Sequence, residues 1–343
     1  MIEIRRCRSD EIPLVMQFID RHWQAGHALA TSRGLMDWQH GGTDGSHDYL
    51  VALRGDEVLG ILGYIATRRF DPALAERNVL WLALWKVLEN TGVSGLGLRM
   101  LGALAAVEPH ATIAVNGINA GHPPMYRALR YVSGELQRHY VVNPNQPRRL
   151  LAVPEGSALP VAQGGGSRLE AMTEAALLAM APAAVAADIA NPKTPLYFCN
   201  RFLRHPFYAY RVFQVVGDGH RPALLATRVA EHDGARALRI VDFAGDPAAI
   251  AAIGGALANL MDEEQAEFAD FWQSGLPDIH IEAAGFARLD PDGPVVVPNY
   301  FEPFVQRNGR LLYAVKTTTG LPVVICRADG DQDRPNRLPG DAP

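Results

Sequence analysis

A glycine-rich loop between a predicted strand and a predicted helix holds residues whose types and spacing are typical of phosphate binding. The apolar run 79–87 is typical of a buried strand, and the segment Gly92-Val93-Ser94-Gly95-Leu96-Gly97 leads from it into a helix. Glycines let the backbone approach a ligand closely, and the N–H groups of a helix N-terminus attract an anion. The loop therefore predicts a pyrophosphate site. Taken alone, the glycines fit a tight strand-to-helix turn equally well.

A tyrosine downstream of this loop is placed where it could transfer a proton. After a second strand-like run, 112–118, Pro123-Pro124 opens a short helix over 123–130 that carries Tyr126. A phenol with an ordinary pKa of about 10 can protonate a thiolate leaving group. Because a tyrosine on a helix can also simply pack, this role depends on the loop being a donor site.

The loop and the segment 125–131 together resemble motif A and the Tyr-x-x-x-Gly-Phe turn of the GNAT acyltransferase superfamily. The resemblance implies an acyl-CoA donor whose pantetheine arm lies in a V-shaped opening between the two strands, with Tyr126 beside the thiolate. Two positions depart from the family pattern, since Gly92 stands where Gln or Arg is usual and Arg130 where Gly is usual. The implied donor-binding residues are Leu84, Trp85, Val87, Gly92, Val93, Ser94, Gly95, Leu96, Gly97, Leu98 and Asn116.

The segment between the first predicted helix and the second predicted strand supplies candidates for the acceptor side. In GNAT folds this segment borders the acceptor, and a neutral imidazole of His27 or His40 could take a proton from an ammonium group. Asp37 could orient the amine or fix a histidine tautomer, and it could equally cap a helix. Each histidine taken singly fits a hydrogen-bonded structural role better. The further predicted substrate contacts of this segment are His22, Trp38 and Gln39.

Two polar residues near the end of the chain stand among aromatic residues and prolines. Tyr300 and Glu302 lie in the segment Pro298-Asn-Tyr-Phe-Glu-Pro-Phe304, and we predict that they face the substrate. The acidic residues Asp329, Asp331 and Asp333 lack the spacing and the terminal Glu of a calcium loop. We therefore predict a solvated or domain-clamping tail and no metal site.

A closer resemblance covers nearly the whole chain and concerns the acceptor. Several short segments look like the tandem-GNAT sugar N-acyltransferases of bacterial surface-polysaccharide gene clusters, and that family implies an amino sugar, usually linked to a nucleotide, as the acceptor. The segments that carry this resemblance are His22-Trp23, Gly26-His27, Asp37-Trp38-Gln39-His40, 81–87, 298–304 and Ala328-Asp-Gly-Asp-Gln-Asp-Arg-Pro-Asn336.

The composition bounds the class of protein. The chain has 343 residues, 48 % hydrophobic and 20 % charged, which favours two globular domains over one. The formal net charge of −5 and the lack of basic runs argue against nucleic acid as a partner. The three scattered cysteines suggest reduced thiols in a cytoplasmic protein. The first residues read as a strand without the long apolar segment of a signal peptide, and no stretch approaches about 18 apolar residues, so we expect neither a signal peptide nor a membrane span.

Hydrophobic periodicity predicts two related α/β units, each a mixed, mainly antiparallel sheet flanked by helices. We expect a first GNAT-like, thioester-binding domain over 1–145, a linker over 146–167, a second GNAT-like domain over 168–328 and a tail over 329–343. Residues 131–142 should close the first sheet, and the Ala-rich stretch 168–182 should be helical. The second unit has no Gly-x-Gly loop before its main helix, so we expect it to have lost donor binding and to shape the acceptor cleft.

The predicted activity is transfer of an acyl group from acyl-CoA to the amine of an amino sugar. A backbone N–H near Leu84 would stabilise the oxyanion, and Tyr126 would protonate the thiolate. An acyl carrier protein presents the same phosphopantetheine arm and is an alternative donor. Two other functions stay open, namely a peptidoglycan-type aminoacyltransferase and a non-catalytic module that binds an acyl thioester.

Overall fold

The computed structural model of the chain describes residues 2–42, 45–185 and 188–335. The last part of the predicted tail, 336–343, including the motif residue Asn336, lies outside the described residues. The strands of the first half are β1 (Glu3–Arg8), β2 (Ser46–Arg54), β3 (Glu57–Ala66), β4 (Val79–Val87), β5 (Thr112–Ile118), β6 (Val132–Glu135) and β7 (Gln137–Val142). Its helices are α1 (Ile12–His22), α2 (Ala28–Thr31), α3 (Arg33–His40), α4 (Leu96–Val107) and α5 (Pro123–Ala128).

The second half contains further strands and helices. The strands are β8 (Arg168–Ala171), β9 (Tyr210–Val216), β10 (Ala223–His232), β11 (Ala235–Gly245), β12 (Ala266–Ser274), β13 (Ala287–Arg288), β14 (Tyr300–Phe301), β15 (Phe304–Val305), β16 (Leu312–Thr317) and β17 (Ile325–Cys326). The helices are α6 (Glu174–Ala179), α7 (Pro195–Phe198), α8 (Ala248–Ala251), α9 (Gly254–Glu263) and α10 (Asp278–Ala283).

The first sheet has the strand order β1-β2-β3-β4-β5-β16-β6, and the second has the order β13-β7-β12-β11-β10-β9-β8. In each sheet one central pair is parallel, β4 with β5 and β11 with β12, while the neighbouring pairs are antiparallel. A parallel pair needs a crossover connection, and α4 and the α8–α9 segment supply it. The predicted mixed, mainly antiparallel sheets flanked by helices are confirmed.

The two sheets exchange strands. β7 pairs with β12 of the second sheet, although residues 131–142 were expected to close the first one. In return β16, which sequence analysis did not predict, inserts between β5 and β6 of the first sheet. The chain passes from the first sheet to the second at the buried Leu136. β6 ends at Glu135 in the first sheet, and β7 begins at Gln137 in the second. The predicted domain limits stay a prediction, and each sheet contains a strand from the other half.

Apolar side chains fill both faces of the first sheet and the space between the two sheets. One face of the first sheet packs Leu62, Leu82 and Val115 against Leu96 and Met100 of α4. A core that includes Trp81 of β4 and Trp272 of β12 joins the two sheets. Burial of such large apolar side chains contributes roughly 1.5–3 kcal/mol each, so this shared core fixes the sheets against each other.

Candidate active site

The first sheet divides where β4 and β5 end. Their parallel register runs from Val79–Thr112 to Leu82–Val115. On the other side of β4, the register with β3 changes from Leu62–Trp85 to Tyr64–Leu82, so two steps along β3 match three along β4. This β-bulge at 83–84 bends β4. We call the resulting gap between the C-terminal halves of β4 and β5 the first opening.

A cavity of about 320 Å³ lies at the first opening. Of the predicted residues, Trp85, Val87, Gly97 and Tyr126 line it. The alternation of side chains along β4 places Trp85 and Val87 toward this cavity and toward α4. Its other lining residues are Trp23, Ala83, Val115, Gly117, Ile118, Asn119, His122 and Met125. The mainly apolar walls, with a few polar groups at the α5 end, suit an extended arm that carries amide groups.

The predicted phosphate loop leads from β4 to the N-terminus of α4. Gly92 and Gly95 have φ values of +71° and +66°, so the loop uses a left-handed conformation that other residues rarely adopt. A Cβ at either position would have no heavy atom within 4 Å, so the space beside the loop is open. Gly95 is the N-cap of α4, and no side chain caps this helix. The first N–H groups of α4 are therefore available to an anion.

Tyr126 is buried in the wall of the cavity. Its ring meets the ring of Tyr131 edge-on at 5.3 Å, and burial raises its pKa, which keeps the phenol protonated. A protonated phenol facing an apolar cavity can donate its proton to a thiolate. The turn that follows is retained although Arg130 replaces the usual glycine, because Arg130 adopts a left-handed φ of +64°.

Other residues predicted to bind the donor lie elsewhere. Leu96 is buried in the core beneath α4, with Val93 packed against the same core. Leu98 is 48 % exposed and lines a separate groove on the outer side of α4. Leu84 packs on the opposite face of the sheet, against the core of α1 to α3. Ser94 lies in the loop between Gly92 and Gly95.

Asn116 faces away from the cavity. Its amide donates to the carbonyl oxygens of Cys326 and Asp329, at 3.3 and 3.1 Å. These bonds join the end of β5 to a segment more than two hundred residues away in the chain. Spacing within the first unit could not predict this partner.

The two candidate basic histidines are both buried and neutral. His27 Nδ1 accepts a hydrogen bond from the Leu29 N–H and caps α2, and burial lowers its pKa to about 3. His40 Nδ1 donates to the Tyr64 carbonyl at 2.9 Å, and its Nε2 lies 2.9 Å from the Gln39 amide nitrogen. Burial lowers the pKa of His40 to about 3 as well. Each ring uses its lone pair inside the protein, which favours a structural role.

Asp37 lies in an ion-pair cluster near the surface. Its Oδ1 accepts from Arg33 Nε and from His47 Nε2, both at 2.7 Å. Burial pushes its pKa upward, but the hydrogen bonds from Arg33 and His47 outweigh that effect and the net pKa is lowered. Asp37 thus fixes a histidine ring, as predicted for one of its alternatives, and that histidine is His47. His22 is exposed at the end of α1, with its ring 4.9 Å from Phe18.

Groups from the two predicted acceptor segments are linked by a chain of aromatic rings. The ring of Trp38 meets the ring of His205 edge-on, with 4.3 Å between their centroids. The His205 ring stacks on that of Tyr208, with 5.5 Å between their centroids. The Tyr208 hydroxyl donates to Glu302 Oε2 at 3.0 Å. Tyr300 is 37 % exposed at the start of a two-stranded ribbon. The structure therefore brings Trp38 and Glu302 to one region, on the α1–α3 side of the first sheet.

The segment 325–335, which we call the C-terminal segment, includes the acidic residues of the predicted solvated or domain-clamping tail. Gly330 approaches Trp81 and Asn116, since a Cβ on it would lie 3.6 and 3.9 Å from their Cβ atoms. The Gln332 amide lies only 2.3 Å from where a Cβ of Gly117 would be. The acidic pattern of this segment left a solvated and a domain-clamping role open, and only the three-dimensional contacts show that it reaches the first opening. Sequence analysis missed Trp23 as a cavity residue, because an aromatic at a helix end has no specific signal.

Neither a protein-family model nor a curated protein matches the sequence. A GCN5-related N-acetyltransferase from Anabaena variabilis is similar in structure, with a TM-score of 0.52 at 9 % identity, over 92 % of this chain and 73 % of that one. The fold is that of a GCN5-related N-acetyltransferase.

Two further solved structures were found at lower similarity. A GCN5-related N-acetyltransferase from Kribbella flavida has a TM-score of 0.49 at 13 % identity, over 92 % of this chain and 71 % of its own. One from Sphaerobacter thermophilus has a TM-score of 0.41 at 12 % identity, over 92 % of this chain and 95 % of its own.

The second sheet of this GNAT fold has its own gap, between β11 and β12, which we call the second opening. β17 fills it, since Ile325 and Cys326 pair with β12 and the Ala328 N–H donates to the Val241 carbonyl. Asp242 and Asp329 lie there with Cys326 in an arrangement that could ligate a cation, but Lys193 forms ion pairs with both carboxylates. An ammonium group thus supplies the positive charge that the carboxylates need.

The helix that follows β11 is also closed to ligands. Asp246 accepts hydrogen bonds from the N–H groups of Arg221 and Ala248, at 3.0 and 3.1 Å. A carboxylate of the chain itself therefore occupies the position that an anion would take at this helix start. Among the helices of the described residues, none is both long enough and apolar enough to cross a membrane.

Proposed function

We propose that this protein is an N-acyltransferase that takes its acyl group from acyl-CoA at the first opening. The observation that carries the proposal is the combination, in one place, of a bulged β4, an apolar cavity and an uncapped helix N-terminus behind Gly95. The loop 92–97 would hold the pyrophosphate, and the cavity lined by Trp85, Gly97 and Tyr126 would hold the pantetheine arm. The backbone near the bulge at 83–84 would stabilise the oxyanion.

Tyr126 supports a catalytic role for this site. Its phenol is kept protonated by burial and lines the cavity with the polar groups of Asn119 and His122. On this proposal the phenol gives its proton to the departing thiolate. Binding alone would not require a buried acid at that place, which favours an enzyme over a non-catalytic thioester-binding module.

We propose an amino sugar, linked to a nucleotide, as the acceptor, in surface-polysaccharide biosynthesis. Support comes from the region where Trp38 meets the edge of His205 and His205 stacks on Tyr208, beside Glu302. Aromatic faces next to a carboxylate suit a sugar or a base with hydrogen-bond donors. Three free, buried cysteines support a reducing, cytoplasmic compartment.

The rival functions differ in the donor. The net charge of −5 disfavours the aminoacyl-tRNA donor of a peptidoglycan-type aminoacyltransferase, since RNA binding needs clustered positive charge. Acyl carrier protein stays possible as a donor because it presents the same arm.

The test is a mass-spectrometric screen of the full-length protein with acyl-CoAs and nucleotide-linked amino sugars. We expect an amide product with at least one pair, and thioester consumption that depends on the amine. CoA binding without consumption of any acyl-CoA would instead support the non-catalytic module. Transfer from aminoacyl-tRNA but not from acyl-CoA would support the aminoacyltransferase.

A further inference from the structure

The C-terminal segment is held rigidly between the two sheets. Asp333 accepts hydrogen bonds from Arg228, Arg327 and Tyr210, at distances of 2.8 to 3.1 Å. Arg201 donates to the carbonyl oxygens of Ala328 and Gly330. With β17 paired to β12, the segment is anchored on both sides of Asp331. A residue fixed in this way can position a functional group precisely enough for catalysis.

The segment crosses the first opening on the face opposite the cavity. Trp81 and Leu84 of β4 point to that face, because they pack in cores away from α4. Gly330 lies against Trp81, and the Gln332 amide lies against Gly117, whose backbone lines the cavity. The donor site and residues 330–332 therefore meet at Gly117 from opposite sides of the sheet.

Asp331 differs from the other acidic groups of this region in its partners. Asp329 pairs with Lys193, Asp333 pairs with Arg228 and Arg327, and Glu302 accepts from Tyr208. Asp331 accepts from the Gln332 amide at 3.0 Å and from Arg334 Nε at a long 3.4 Å. Both contacts come from its own segment, and replacing the longer one, from Arg334, would let the carboxylate accept from a substrate group.

The buried histidines on the same face cannot take this role. His27 and His40 each use the lone pair of one ring nitrogen in a hydrogen bond within the protein. A base must instead offer a free acceptor within reach of the acceptor amine.

We propose that Asp331 binds the ammonium group of the acceptor and takes the proton that must leave before attack. This inference rests on the proposed function. The ammonium gives one proton to the Asp331 carboxylate, which passes it to solvent, and the neutral nitrogen forms a bond to the thioester carbon. The C–S bond then breaks as Tyr126 protonates the sulfur, and the second proton leaves the nitrogen and restores the Tyr126 phenol through solvent. The products are an amide, a free thiol and one proton released to solvent.

The test compares the full-length protein with Asp331→Asn, using acetyl-CoA and two kinds of amine. Glucosamine and UDP-linked glucosamine are partly protonated near neutral pH, whereas hydroxylamine is largely neutral there. We expect Asp331→Asn to lower kcat/KM for the sugar amines by about 10²-fold at low pH and to affect hydroxylamine much less. For Asp331→Asn, kcat/KM should rise with pH in step with the fraction of neutral sugar amine. For the unaltered protein, kcat/KM should stay constant to lower pH.

Controls separate this role from a structural one. Asp331→Glu should restore part of the activity, and Asp56→Asn, in an exposed hairpin turn, should behave like the unaltered protein. CoA affinity by calorimetry and the melting temperature should be unchanged in Asp331→Asn. Equal losses with both kinds of amine, or an unchanged pH profile, would overturn the inference while leaving the proposed function intact. If the unaltered protein acetylates no amine, the proposed function fails and this inference falls with it.

Discussion

The first and second openings are built from the same kinds of elements, but the first borders a cavity and the second is filled by the chain. In each, two parallel strands part and a helix starts near the end of the first strand. In the first, the helix N-terminus at Gly95 has no side-chain cap and a cavity of about 320 Å³ lies beside it. In the second, β17 pairs with β12, and Asp246 occupies the helix start.

The two openings share a fold and differ in what fills the space between the parted strands. A parted pair of strands leaves backbone groups without partners, and these must be satisfied by a ligand or by the chain. The second opening receives backbone hydrogen bonds from the C-terminal segment, whereas the first borders the cavity that we propose for the donor. The same segment closes one opening and borders the other, so the two halves of the molecule depend on each other.

The largest expected effect comes from breaking the closure of the second opening. Lys193→Met leaves Asp242 and Asp329 buried without their counter-ion, and such a loss typically costs about 3–5 kcal/mol of unfolding free energy. Chemical denaturation should show this loss. Arg168→Met, which removes an exposed ion pair with Glu170, is the matched control and should change stability little.

The pH dependence of this variant has a definite sign. Burial raises the pKa of Asp329 to about 6, above its ordinary 3.8, despite the opposing effect of Lys193. The folded protein therefore favours protonated Asp329. The stability that this proton adds is largest below pH 3.8 and is lost as the pH rises through about 6. Without Lys193 the Asp329 carboxyl should take up a proton more readily, so Lys193→Met should be less destabilising at acidic than at basic pH. A loss independent of pH would show that the charge of Asp329 does not carry the penalty.

The next effect closes the first opening. A Cβ on Gly97 would lie 3.3 Å from the Trp85 ring, so Gly97→Leu should push a side chain into the cavity and the loop. We expect CoA affinity to fall by about 10²-fold or more, which corresponds to roughly 2.7 kcal/mol. Gly102→Leu, on the same helix with no heavy atom within 4 Å of its Cβ position, should bind CoA normally. Equal CoA affinity in Gly97→Leu and Gly102→Leu would show that the donor does not bind at the first opening.

Tyr126→Phe tests the chemistry of the first opening without closing it. Loss of a positioned acid should lower kcat by about 10²-fold while CoA affinity is retained. Tyr131→Phe, which changes the neighbouring ring at 5.3 Å, is the control. An unchanged kcat at saturating substrate would mean that water or another group protonates the thiolate.

Trp23→Ala is expected to have the smallest effect. Trp23 lines the cavity yet is 44 % exposed, so its removal loses one wall of the donor site and little of the core. Donor KM should rise by about tenfold, since roughly 1.4 kcal/mol of contact is lost, with kcat unchanged. His22→Ala, one residue earlier and outside the cavity lining, should leave donor KM unaltered. A fall in kcat for Trp23→Ala would assign it to the acceptor instead.

Local pattern predicted the elements that build the proposed donor site. The strands 79–87 and 112–118 were predicted with the bounds that the structure gives, because each is an apolar run with clear limits. The exchange of β7 and β16 could not be predicted, since periodicity indicates a strand but not its partner. Residues 168–171 were expected to be helical but form β8, whose ladder with β9 outweighs the local Ala-rich propensity.

The side-chain roles were harder to predict than the elements. His40 is fixed by the carbonyl of Tyr64, 24 residues away, and Asn116 by carbonyls of the C-terminal segment. Such partners become neighbours only after folding. The exchange of β7 and β16 between the sheets also limits the use of fragments. A chain that ends near residue 150 lacks β16, which lies inside the first sheet. Such a fragment cannot report on the donor site alone.

A crystal structure of the full-length protein with CoA most directly tests whether the first opening binds the donor while the second is closed by the chain itself. We expect CoA with its pyrophosphate over residues 92–98, its pantetheine arm between β4 and β5, and the segment 325–329 still in the second opening. A pyrophosphate bound elsewhere, or CoA that displaces 325–329 from between β11 and β12, would contradict it.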